Sequence, residues 1–426
     1  MNLTIKERID IIKTGSIPDG YKRCKTGTIP KDWDEKRIVE ICNVNKQSLN
    51  GSTPKDYLFN YYDLSSIDNG KIMHPPNQIR FEEAPSRARR IFKKNDILMS
   101  TVRPYLKGFA YIDFDCRDCI ASTGFAILES KNDKDAMLIY HNLFSYAIDK
   151  QINSLLVGSN YPAINSSDVE NLKIPYAHNA CEREIIGNIL TTCDKAIKLK
   201  ERLIEEKKIQ KTGLIQKLYT GKIRIPGFSG KVQFEKLNKY IKESKKRNRN
   251  NEEERVLSVS NKLGFVLQED QFDRIVASKD LSNYKVIRKG QFAYNPSRVN
   301  VGSIDLLTTY ESGLLSPMYV VFQCKQGLVT EYLYHFIKSD TFLKIIPNLL
   351  QGSVRDTLSF DSLGLVKIFL PSIEEQNAIA QRLNLADKEI SLLEKELEGL
   401  KQQKKGLMQL LLTGIIRVNT QENEKR

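Results

Sequence analysis

The sequence has no apolar run approaching the ~20 residues of a membrane span. Its first ten residues, MNLTIKERID, lack the apolar segment of a secretory leader. Cysteine occurs seven times in 426 residues, scattered and odd in number, which points to a reducing, cytoplasmic setting. The one CxxC, Cys116 to Cys119, has no second ligand pair, and the four histidines (His74, His141, His178, His335) supply none at a zinc-motif spacing. It sits in an apparent strand and turn, YIDFDCRDCIAS, not at the helix start a redox pair uses, so its cysteines read as ordinary reduced thiols. There is no G-x-x-x-x-G-K-[ST] loop and no H-E-x-x-H. YNPS at Tyr294–Ser297 begins like the N-P-P-Y motif of amino-methyltransferases. It lacks the second proline and the aromatic, and no glycine-rich cofactor loop precedes it. PDG at Pro18–Gly20 is a turn, without the Glu-x-Lys constellation of a nuclease. The expectation is a non-catalytic chain that holds no cofactor or metal of its own.

What is present is basic charge and repetition. The formal net charge is +14, which fits a polyanionic partner, although charge alone does not single out nucleic acid. A hydrophobic content of 40% suffices for two or three domains. KKIQKTGLIQKLYTGKIRI, from Lys207, recurs as KQQKKGLMQLLLTGIIRV, from Lys401. The alignment puts Gly213 on Gly406, Thr220-Gly221 on Thr413-Gly414, Arg224 on Arg417 and Asp194-Lys195 on Asp387-Lys388. Further upstream it puts Tyr140-His141 on Tyr334-His335, Arg103 on Arg298 and Ser122 on Ser316. The unit is about 190 residues, too long for a solenoid repeat, so the chain reads as a duplicated pair of domains.

The well-matched blocks are long helices. From Glu182 to Tyr219 and from Glu375 to Leu412 there is no proline, and good helix formers dominate. A seam alternating four and three runs Ile379, Leu383, Ala386, Ile390, Leu393, Leu397, Leu400, Lys404, Leu407, Leu411 in the second helix. In the first it runs Ile186, Leu190, Cys193, Ile197, Lys200, Ile204, Lys207, Lys211, Leu214, Leu218, with a lysine-rich middle expected to offset or fray. Gly221 and Gly414 stand where a glycine C-cap belongs. The economical arrangement packs the two helices on each other, antiparallel by the approximate twofold of the duplication. The other options are that they bind partner helices instead, or do both.

The diverged blocks read as α+β, with short strands between glycine, proline and asparagine turns and a helix near 134–149 and 330–345. The expected organisation is an N-terminal extension (1–19), a first block (20–157), a helical region (158–225), a second block (226–351), a second helical region (352–418) and a charged tail (419–426). KYIKESKKRNRNNEEER, 239–255, reads as a solvated loop or a DNA contact. Basic and polar residues on turns are the candidate DNA contacts: Arg87, Arg89, Arg90, Arg103, Tyr105 and Lys107 in the first copy. The second copy offers Tyr294, Asn295, Arg298, Asn300 and Arg355. Arginine can contact guanine, and asparagine adenine, through paired hydrogen bonds, whereas lysine mostly holds phosphate. Any single one of them is more readily read as a solvated surface residue; Arg103 and Arg298 stand out because both copies place an arginine after the same strand.

The chain resembles the specificity subunit of type I restriction-modification enzymes over nearly its whole length. The residues that carry the likeness are GTIPKDW (27–33), YYDLSSIDNGKI (61–72), KNDILMSTVRP (94–104), YKVIRKGQFAYNPSR (284–298), LSPMYVVF (315–322), LPSIEEQNAIAQRL (370–383) and both helices ending in T-G. The resemblance implies two target-recognition domains and two conserved helices packed as an antiparallel coiled coil. Each domain would read one half of a split double-stranded DNA site. The helices would set the gap and dock two methylase subunits carrying S-adenosylmethionine, and restriction subunits would add ATP- and Mg-dependent steps. The second copy has only IPGF (225–228) where the first has IPKDW, which leaves the start of its domain open. The rival readings are a stand-alone methyltransferase or nuclease with disguised motifs, a specificity protein for a type II-like methylase-nuclease, and a coiled-coil scaffold.

Overall fold

Ile97, Leu98, Met99 and Ser100 form a strand buried along its whole length, because both faces of its sheet are covered. The computed structural model describes residues 3–68, 70–73, 78–156, 162–230, 232–261, 263–271, 280–350 and 357–420. The chain divides into two compact units: Met1–Leu199 with Leu397–Arg426, and Lys200–Glu396.

In the first unit an antiparallel sheet has the order Phe109–Tyr111, Ile97–Ser100, Phe125–Ser130, Cys42–Val44. Alternation splits its side chains. Ile97, Met99, Ala126 and Leu128 face Ile139, Leu143, Ile148 and Ile152 on the helices Ala136–Leu143 and Tyr146–Leu155. Leu98, Phe125 and Ile127 face a second sheet through Tyr62, Phe92 and Ala121. That sheet runs Gln78–Arg80, Leu58–Tyr62, Cys119–Ser122, Ala88–Phe92, with the middle pair parallel. Cys116 and Cys119 are joined as a disulfide, against the reading of free thiols; their Cα atoms lie 5.9 Å apart across a turn with Asp118 at φ 51°.

The second unit repeats the first sheet strand for strand: Ile304–Leu306, Phe292–Tyr294, Val320–Cys324, Ile241–Ser244. A smaller pairing also recurs: Trp33–Arg37 with Lys173–Ala177, and Gln233–Lys236 with Lys367–Leu370. The stretch 239–255 is therefore not a loop throughout. Ile241 is buried and sits opposite Cys324, which makes 241–244 an edge strand.

The two long helices span Ala180–Tyr219 (40 residues) and Ile373–Leu411 (39 residues), about 60 Å each. Asn179 starts the first, its side chain accepting from Cys181 N at 2.8 Å; Ser372 starts the second, accepting from Glu375 N at 3.3 Å. Within each unit the helices pair antiparallel. Asp194 meets Lys404 in the first unit; Lys200 meets Glu396, Lys207 meets Glu389 and Lys211 meets Asp387 in the second. The lysine-rich middle does not fray: the helix is continuous, and these lysines reach acids on the opposing helix. Ile204 and Ile390 are buried, while Ile197, Leu393, Leu397 and Leu400 are half-buried. The ends of the seam serve the blocks as well as each other. Ile186, Leu190, Leu407 and Leu411 pack with Trp33 and Leu138, and Leu214, Leu218, Ile379 and Leu383 pack with Tyr332 and Phe336.

The repeated T-G-x-x-R has a structural reason. Gly221 (φ 69°) and Gly414 (φ 67°) end the helices in the left-handed region. The chain then turns back and delivers an arginine to the start of the other helix. Arg417 grips Glu182 (2.6 and 2.8 Å) and Asp32 (2.9 and 2.8 Å). Arg224 grips Glu375 (2.7 and 2.5 Å). The Arg417 guanidinium holds Asp32 below the usual carboxylate range. The N-terminal helix Ile5–Lys13, started by a Thr4–Glu7 capping box, packs at this same corner, with Arg8 donating to the Ile415 carbonyl at 2.9 Å.

Candidate nucleic-acid interface

The strand Ile97–Ser100 leads into a tight turn. Arg103 (φ 48°) precedes the 3-10 helix Pro104–Leu106, and Lys107 (φ 58°) closes it. The Arg103 N–H donates to the Pro162 carbonyl at 2.8 Å, which fixes the base of the turn. Tyr105 and Leu106 are exposed at its tip. In the second unit Phe292–Tyr294 leads to Arg298, the 3-10 helix Val299–Val301 and Gly302 (φ 91°). Arg298, Asn300 and Val301 are exposed there. The two copies thus present an arginine and an exposed apolar side chain, Leu106 or Val301, from the same point of the same sheet. The apolar tip was not singled out from sequence, although the alignment that paired the arginines also pairs these two positions.

The other candidates are placed differently. Lys107 turns inward and pairs with Asp149, and burial pulls its ammonium down to about 8. Tyr294 is buried, its hydroxyl donating to the Leu358 carbonyl at 3.2 Å. Asn295 is buried too, its side chain accepting from Ser297 N at 3.1 Å to brace the turn that carries Arg298. In this structure these three brace the turns, Lys107 half-buried and Tyr294 and Asn295 buried. Arg89 donates to the Ala88 carbonyl (2.8 Å) and covers the Phe81 ring, while Arg90 donates to Ser48 (3.2 Å). Arg87 is exposed; its carbonyl accepts from Thr123 N, and the neighbouring Gly124 carbonyl accepts from Thr101 N, which ties it to the Arg103 turn. Arg355 lies outside the described residues.

Chemically the tips offer charge, hydrogen-bond donors and apolar contact, and no general acid paired with a base. Among the described residues no group of three or more His, Cys, Asp or Glu could hold a metal ion, and no helix is long and apolar enough to cross a membrane.

Sequence reading also left the roles of His141 and His335 unassigned. Each is buried where its strand-rich block meets a long helix, on the helices Ala136–Leu143 and Thr330–Ile337. Burial pushes the His141 imidazole down to about 3 and lowers His335 in the same sense. The duplication was the available signal, since Tyr140-His141 and Tyr334-His335 align.

Residues 30–208 and 306–402 match the family described as the type I restriction modification DNA specificity domain. The type I restriction enzyme MjaVIII specificity subunit of Methanocaldococcus jannaschii is 24% identical over 94% of this chain and 96% of its own length. The MjaIX specificity subunit of the same organism is 24% identical over 43% of this chain, and the match spans 42% of that protein. A solved chain of a type I R-M system superposes with a TM-score of 0.59 at 20% identity, covering 91% of this chain and 99% of its own; at that identity the likeness concerns the fold.

Proposed function

This chain belongs to the type I restriction modification DNA specificity family, and from that premise we propose that it is the subunit through which such an enzyme chooses its DNA target. The observation that carries the reading is the duplicated sheet with an arginine-bearing turn of exposed tip at the same position in both units, Arg298 exposed and Arg103 half-buried. Each unit reads one half of a split site. The paired helices set the gap and dock two methylase subunits; Leu203, Ile209, Leu385 and Leu392, exposed on the helices, supply apolar surface for docking. Catalysis, with S-adenosylmethionine, ATP and Mg, belongs to the methylase and restriction subunits, and this chain positions them.

The test is to combine the chain with its methylase subunit and map methylated bases across a genome. A two-part site is expected, with no methylation by this chain alone. Arg103→Ala is expected to relax or weaken one half only, by about 1–3 kcal/mol if the contact is bidentate, and Arg298→Ala the other half. A continuous site, or methyl transfer by the lone chain at the rate of the complex, would overturn the reading. Uniform weakening across all sequences would reassign the two arginines to phosphate.

A further inference from the structure

Each recognition block sets one buried histidine against a long helix, and the surroundings of the two histidines correspond. His141 Nε2 lies 3.2 Å from Thr191 Oγ1 on the first long helix. That hydroxyl already donates to the Gly187 carbonyl at 2.7 Å, so it must accept, and Nε2 carries the proton. His335 Nε2 lies 2.8 Å from Asn384 Oδ1 on the second long helix, an acceptor, so the same tautomer holds. The other nitrogen, Nδ1, faces a carboxylate at 3.8 Å in both copies: Asp194 for His141 and Asp387 for His335. Both Nδ1 atoms are buried without a hydrogen bond. The carboxylates are turned to a lysine of the opposing helix, Lys404 (2.5 Å) for Asp194 and Lys211 for Asp387.

Each histidine therefore ties its block to one helix by a directional bond and abuts the charge pair that joins that helix to the other. Other directional bonds join block and helix at the helix start, Arg183 to Asp135 at 2.7 Å in the first unit and Gln376 to the Gly327 carbonyl at 3.1 Å in the second. The histidine is a further point of attachment about two turns along, set among apolar contacts. Met137 and Leu138 lie directly over Gly187, where an added Cβ would stand 3.0 Å from the Met137 Cβ. Apolar faces resist separation but do little against sliding, because dispersion and burial are non-directional. A buried imidazole donating along one line does resist it, since moving it by one side-chain position strands its buried donor, although the acceptors are less enclosed, Thr191 half-buried and Asn384 exposed.

We propose that His141 and His335 are positioning residues for DNA recognition, each fixing the seat of its recognition block on the paired helices and so the strictness with which the enzyme keeps one gap between half-sites. This rests on the split-site reading above.

The test uses the full chain with its methylase subunit and a DNA library holding both half-sites at the native gap and at gaps one base pair shorter and longer. For His141→Leu the half-site letters are expected to stay, while the preference for the native gap over its neighbours falls roughly two- to tenfold, the equivalent of one hydrogen bond. His141→Gln, whose amide can donate to Thr191, is expected to restore it. Thr191→Val removes the acceptor from the helix side without touching the block, and is expected to act like His141→Leu even if that variant folds poorly. His335→Leu and Asn384→Leu form the matching pair. A lower Tm with unchanged gap preference in both Thr191→Val and His141→Leu would overturn the proposal, as would altered half-site letters. If the unaltered chain shows no split site, the functional reading itself fails, and that result is distinct.

Discussion

Glu182 and Glu375 are carboxylates with almost no access to water, at 2% and 0% exposure, and each is held by one arginine that arrives from beyond the end of the other helix. Removing the arginine leaves a buried charge without its partner, which costs about 3–5 kcal/mol. Arg417→Ala is expected to lower stability by that order, measured by urea unfolding. Adding Glu182→Gln is expected to recover much of the loss, because the stranded charge goes with it. Arg224→Ala with Glu375→Gln is the parallel experiment in the second unit. The arginine pair was visible in the sequence as an aligned position, but its partners were not: a glutamate some 235 residues away carries no local mark of the contact. The same limit explains Lys107, Tyr294 and Asn295. Their residue types suit DNA contact, and only the burial of their surroundings turns them into supports for the turn.

The long helices were legible as elements because every local signal agreed: no proline, strong helix formers, and a glycine at each end. Both strand-rich blocks were legible as α+β, yet the edge strand 241–244 was hidden by its charged neighbours, since pairing with Val321–Cys324 decides its state. The lysines of the first helix looked like defects of an apolar seam and are instead its interhelical contacts. The helix glycines give a direct test of these element-level readings. An added Cβ would lie 2.6 Å from Pro30 at Gly414 and 2.7 Å from the Phe369 ring at Gly221, and both positions have positive φ. At Gly213 and Gly406, inside the helices, nothing lies within 4 Å. Gly213→Ala and Gly406→Ala are expected to stabilise by about 0.5–1 kcal/mol. Gly221→Ala and Gly414→Ala are expected to destabilise by about 1–3 kcal/mol from backbone strain, before any cost of the close contact. Four thermal melts decide the matter, and equal effects at all four positions would mean the helices end elsewhere.

At the scale of the whole chain the duplication was readable, but not the way it is divided. Each compact unit takes one recognition block together with half of each long helix, so the division falls inside both helices, at Leu199/Lys200 and Glu396/Leu397. These two points lie opposite each other in the pairing, since Lys200 itself reaches Glu396. They are the place to lengthen the pair without entering either core, whereas an insertion beside Leu218 would enter the core that holds Tyr332 and Phe336. Seven helix-forming residues added at each point preserve the heptad seam and lengthen both helices by ~10 Å. With base pairs stacked at ~3.4 Å, the gap between half-sites is expected to grow by about three base pairs, while both half-site sequences stay the same. A heptad also restores nearly the original facing of each block around the helix axis, so rotation of one block against the DNA is small. Methylation mapping with the lengthened chain reads the gap directly. An active variant with the original gap would show that the helices do not measure it, and changed half-site letters would show that they take part in reading the bases.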